Sequence, residues 1–110
     1  MQAYSVLSLT QQATATIAEK TFVGFGGVTA TAGGNSLGVS RADAESGDYF
    51  AVDALGTAVV ITGGAIAITD EIEVGAGGTA VVKTTGAMVA RPLQPASAAG
   101  KQIEVLLIQN

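Results

Sequence analysis

Apolar and polar residues alternate with a period of two along most of this chain, and the clearest stretch is residues 35–69. From Leu55 to Thr62, an extended backbone sends Leu55, Thr57, Val59 and Ile61 to one face and Gly56, Ala58, Val60 and Thr62 to the other. Gly63-Gly64 then fits a two-residue hairpin turn, which predicts an antiparallel return over residues 65–69. Upstream, residues 49–53 predict a strand with Phe50 and Val52 on its inner face. The polar loop RADAESGD joins it to a strand over residues 37–40. The pattern is that of a β-meander.

The flanks repeat this grammar. Residues 4–9 (YSVLSL) alternate and predict either a first strand or an arm that adds to a neighbour's sheet edge. Residues 11–18 fit strand and loop equally, and residues 21–23 predict a short strand. GFGG over residues 24–27 predicts a bend before a strand at residues 28–32, and Gly33-Gly34-Asn35 a turn. Further on, residues 70–74 alternate acidic and apolar, GAGG turns, and residues 79–83 answer as a strand. Pro92 and Pro95 predict irregular backbone that avoids the middle of a sheet. ASAAG predicts one helical turn capped by Gly100. KQIEVLLIQ is the strongest late strand, with Ile103, Val105 and Leu107 on one face and an end apolar on both sides. Turn signals every 8–12 residues or so indicate an all-β fold, a small antiparallel barrel (β-tulip-like) or sandwich with at most one or two helical turns.

Composition narrows the function more than the fold. With 110 residues, one domain is expected, residues 1–9 forming its arm or edge strand. The chain has no cysteine and no histidine, which excludes disulfide scaffolds, thiolate zinc sites, cysteine nucleophiles and histidine bases. Its net charge of −4 and five scattered cations argue against a nucleic-acid partner. Neither a secretion signal nor an apolar run of membrane-spanning length is read. Twenty alanines and 15 glycines leave a thin core for this length. Part of the apolar surface is therefore expected to be buried against other chains.

Candidate chemistry is sparse. Gly24-Phe25-Gly26 lacks the third glycine of a dinucleotide fingerprint, and Gly100-Lys101 lacks the hydroxyl residue of a phosphate loop. Asp43, Glu45 and Asp48 form one acidic group and Asp70, Glu71 and Glu73 another. Neither has the spacing of a calcium loop, and both are expected to be solvated. Asp53, between Val52 and Leu55, is expected to be partly buried and to bond turn amides near Gly56. The remaining enzymatic reading is a carboxylate-dependent hydrolase using Asp48 and Asp53. No catalytic residue, cofactor or metal site is assigned, and the chain is not expected to be an enzyme.

The run GGNSLGVSRADAESGDYFAVDALGTAVVITGGAIA, with its Val-Asp-x-Leu-Gly-Thr-Ala motif, and the ending ASAAG followed by Ile-x-Val-x-Leu resemble the small capsid cement, or head decoration, proteins of tailed bacteriophages. The resemblance extends from about Tyr4 to the C-terminus. It implies a β-rich subunit, made in the host cytoplasm, that trimerises on the outer surface of the mature icosahedral head. There it would bind the major capsid protein at three-fold and quasi-three-fold positions and brace the shell against packaged DNA. Within that picture Gln2, Ala3, Tyr4, Ser5 and Val6 are expected to form a capsid-contact arm, and Phe50 and Leu55 to lie at the trimer contact. Another virion β-domain, tail- or fibre-associated, is the alternative.

Overall fold

The computed structural model describes residues 4–108. Its organising element is one long strand, β4 (Tyr49–Ile61), flanked in sequence by β1 (Ser5–Gln12), β2 (Phe22–Val23) and β3 (Gly38–Ser40). After it come β5 (Ile72–Val74), β6 (Ala80–Val82), β7 (Ala90–Pro92) and β8 (Gln102–Leu107), with one 3-10 turn at Ala76–Gly78. The two strands expected over residues 49–62 are thus one. β4 pairs antiparallel with β1 and β3 along its first half and with β8 along its second. The sheet runs β2-β3-β4-β8-β7-β5-β6. Past the end of β4, a parallel bridge between Thr62 and Ala80 brings β6 back to β4, giving a nearly closed antiparallel barrel.

β4 serves two cores because its buried apolar positions are even-numbered throughout. Phe50 and Val52 pack with Ala13, Ile17, Val23 and Ala44. Ala58 and Val60 face the barrel interior with Phe22, Ile72, Val74, Ile103 and Val105. The join is Gly56, with φ +100, where a Cβ would stand 2.2 Å from the Tyr4 carbonyl oxygen. The register between β1 and β4 shifts on either side of Leu7, and the strand changes course there without losing its alternation.

Two turn expectations are overturned. Gly63-Gly64 makes no hairpin: the Gly63 amide donates to Ala80 O at 2.8 Å, and Ile66 bridges Ala96 instead of returning beside β4. The site beside β4 is already taken by β8, which buries three apolar side chains where residues 65–69 offer fewer. Thr62, fully buried, fixes the crossing by donating from Oγ1 to Ala98 O and accepting from the Lys101 amide. The helical turn expected over residues 96–100 is absent, because Ala96 is engaged in that bridge.

Pro92, expected to avoid the middle of a sheet, ends the interior strand β7 opposite Val105. The next amide, Leu93, donates to Glu104 O, so Pro92 occupies a non-hydrogen-bonded position where its missing N–H costs nothing. β8 sits between β4 and β7 with Ile103, Val105 and Leu107 buried, as its pattern requires.

Substituting Gly56 by valine places a β-branched side chain at positive φ against a backbone oxygen, an arrangement that costs about 2 kcal/mol or more. Urea unfolding of Gly56→Val is expected to show a lowered midpoint, with the largest gain in amide exchange along β1.

Candidate functional site

The features to weigh are an edge, two small cavities and two buried carboxylates. β1 is the edge. It pairs only with β4, and its eight side chains are exposed or half-exposed. Tyr4 and Val6 stand 63% and 78% exposed. Gln2 and Ala3, expected in the contact arm, lie outside the described residues. Tyr4, Ser5 and Val6 are laid along this chain's own β4, where the Thr57 amide donates to Tyr4 O at 2.9 Å.

The expected trimer-contact pair is divided by the fold. Phe50 is 5% exposed and belongs to the core beneath β1 and β3, so its side chain is used within the chain. Leu55 is half-buried and lies opposite Leu7 of β1. Leu106, in β8, pairs with Thr57 and is exposed. Sequence alternation places Phe50 on an inner face, and that reading is the one the packing supports. Of the five aromatic residues, Tyr4, Phe25 and Tyr49 are exposed, leaving only Phe22 and Phe50 for the interior.

The acidic loop carries a cavity of about 320 Å³ between residues 16–18 and 43–48, lined by Ile17, Ala44, Asp43, Glu45 and Asp48 among others. Its carboxylates serve the loop itself: Asp43 accepts from the Glu19 amide and Asp48 from the Glu45 amide. Among the described residues no cluster of acidic groups is arranged to hold a metal ion.

Asp53 lies elsewhere, in a cavity of about 150 Å³ with Lys20, Ser40, Arg41 and Val59. Asp48 and Asp53 therefore line different cavities and form no acid–base pair. The expected bonds from Asp53 to amides near Gly56 are also absent: Oδ2 faces the Arg41 guanidinium at 3.6 Å, and Oδ1 is buried without a protein partner. Arg41 follows β3 directly, and the pairing of β3 with β4, Val39 opposite Asp53, sets the two charges side by side.

Glu73 is the carboxylate that sequence reading misplaced. Expected to be solvated, it is 7% exposed on β5. It accepts hydrogen bonds from the Thr84 amide, the Thr84 hydroxyl and the Gly86 amide. The Thr84 amide is the main reason its pKa lies below the ordinary 4.5, against the opposing effect of desolvation. The same turn is tied to residue 33, since Ala87 donates to Gly33 O while Gly33 donates to Val74 O. Glu73 thus pins the 84–86 turn to β5, and the backbone bonds of Gly33 add the residue-33 turn beside it. Its place in an acidic–apolar alternation implied exposure, because alternation does not show that the turn past β6 folds back over it.

A family model described as phage cement protein matches residues 1–107. The chain belongs to the phage cement protein family. It is a bacteriophage structural protein associated with the virion, a class that points away from catalysis. No curated relative matches it. Among solved structures, the head fiber gp8.5 N base of bacteriophage phi29 is similar, with a TM-score of 0.78 and 20% identity over 93% of each chain. At that identity the likeness shows a shared fold.

Two outcomes follow for this cement-family chain. Phe50→Ala is expected to lower unfolding stability by about 3–5 kcal/mol in chemical denaturation, as loss of a buried aromatic does. Because the folded pKa of Glu73 is depressed, its stabilising contribution is present above about pH 4.5 and disappears as pH falls through the lower folded value. Melting temperatures of the wild type and Glu73→Gln should therefore differ at pH 7 and converge in acid.

Proposed function

We propose that this chain is a capsid decoration subunit that binds the outer surface of the mature icosahedral head as trimers at three-fold and quasi-three-fold positions. The observation that carries the reading is the cement-family match across nearly the whole chain. The fold is consistent with it: exposed apolar side chains gather on β1, on the loop carrying Phe25 and at Tyr49, surfaces that suit contact with other proteins. The trimer contact is assigned to Leu55 with its neighbour Leu7, and no longer to Phe50. The partner is the major capsid protein.

Such a subunit acts by mass action. Binding across neighbouring shell subunits and not to separated ones shifts the balance toward the intact lattice, and each occupied position adds to that shift. The bound subunits brace the shell against packaged DNA. A second reading, that the chain seats a fibre on the head, is favoured by the likeness to a head fiber base.

Cosedimentation with expanded, DNA-free shells separates the two. A decoration protein saturates all equivalent three-fold positions, whereas a fibre base stops at fewer copies. Failure to bind shells would remove both readings. Leu55→Asp is expected to abolish trimers in light scattering and lower shell occupancy at least tenfold, while the far-ultraviolet spectrum stays that of the wild type.

A further inference from the structure

We infer that the outer edge of β1 is completed by a β-strand of the shell protein, an assignment that rests on the decoration reading and names the contact through which it operates. The register fixes which backbone groups are available. Ser8 through Gln12 pair with β4 in unbroken order, and the Ala13 amide continues that ladder by donating to Asp48 O at 2.8 Å. Leu9 and Gln11 therefore turn their backbone groups toward β4, and Ser8 and Thr10 turn theirs away. No strand of the described residues lies on that side. Only the Gln12 end is covered, where Gly27 packs against its carbonyl.

Edge strands in soluble proteins are ordinarily blunted by charge, proline or brevity, since an open ladder invites another strand. β1 has none of these protections. It is eight residues long, without proline, and no charged residue precedes Glu19 in the sequence. Its side chains at Val6, Ser8 and Thr10 are exposed, and an incoming strand would desolvate no ion on this edge. Such an edge is built to be occupied.

A second copy is the wrong occupant for a three-fold assembly. Of the other strands longer than three residues, β8 is paired on both sides, and β4 has β1 and β3 along its first half and β8 along its second, where the Thr57 and Ile61 amides are already taken by the Tyr4 and Lys20 carbonyls. A second copy thus has only its own β1 to offer, and β1 against β1 makes a two-fold pair that leaves nothing for a third chain. The strand must come from a different polypeptide, and the shell protein is the one that decoration supplies.

The test uses the full chain with expanded, DNA-free shells of the phage that encodes it. In the free protein the amides of Ser8 and Thr10 should exchange rapidly; on shells they should slow at least tenfold, while exchange at Leu9 and Gln11 changes little. Thr10→Lys places a charge on the exposed edge without touching the core. It is expected to weaken shell binding at least tenfold with an unchanged melting temperature and unchanged light-scattering mass. Ser8→Pro, which removes an outward N–H, should do the same. Shells that saturate while both amides stay unprotected would overturn the assignment yet leave decoration intact. A concentration-dependent dimer in which those amides are protected without shells would overturn it in favour of β1–β1 pairing. Absence of any shell binding would overturn decoration itself.

Discussion

The alternation of β4 across the Gly56 bulge is the constraint on which the rest of the structure depends. A single strand of 13 residues lines two separate apolar clusters, and it does so only because the backbone turns at residue 56 without exchanging its faces. Had the bulge slipped the alternation by one, Ala58 and Val60 would point to solvent and Val59 and Ile61 into the barrel. Elements distant in sequence find their places by reference to this strand. β1 and β3 pair with its first half, β8 pairs with its second, and the Lys20 carbonyl accepts from the Ile61 amide at its end.

A small chain rich in alanine and glycine gains its interior this way. Small residues at Ala58, Ala80 and Ala90 let strands approach closely around valines and isoleucines, and Gly63 brings the chain within van der Waals reach of Thr79 and Val81. The interior is filled, but three of five aromatics are left outside it. Buried polar groups are satisfied by backbone turns: Thr62 holds residues 98 and 101, and Glu73 the 84–86 turn, each through two or more hydrogen bonds.

Period-two alternation made the strands legible, because burial on one face of a sheet must repeat every second residue. It located β2, β3, β5, β6 and β8 and the inward direction of Phe50, Val52, Ile103 and Val105. What alternation cannot express is pairing. Gly63-Gly64 carries a hairpin signal, yet the place beside β4 is filled by β8, some forty residues on. Pro92 reads as a strand breaker, yet its position in the ladder asks for no donor. The burial of Glu73 depends on the turn at residues 84–86 folding back over it, and the meeting of Arg41 with Asp53 on the register between β3 and β4; local composition shows neither. Family membership was legible for a different reason: an ordered set of strand motifs retains its spacing even where each motif alone is generic.

The placement of β8 also governs how the chain reaches this state. The last strand of the described chain occupies an interior position, between β4 and β7, while β4 lies near the middle of the sequence. On the ribosome, β4 must wait for residues 102–107 to emerge before the second half of its ladder can form. Until then the barrel is a sheet with a gap at its centre, showing valine and alanine to the solvent. Assembly of the fold is consequently a late, nearly all-at-once event, dominated by contacts of large sequence separation and slow by comparison with a helical chain of the same size.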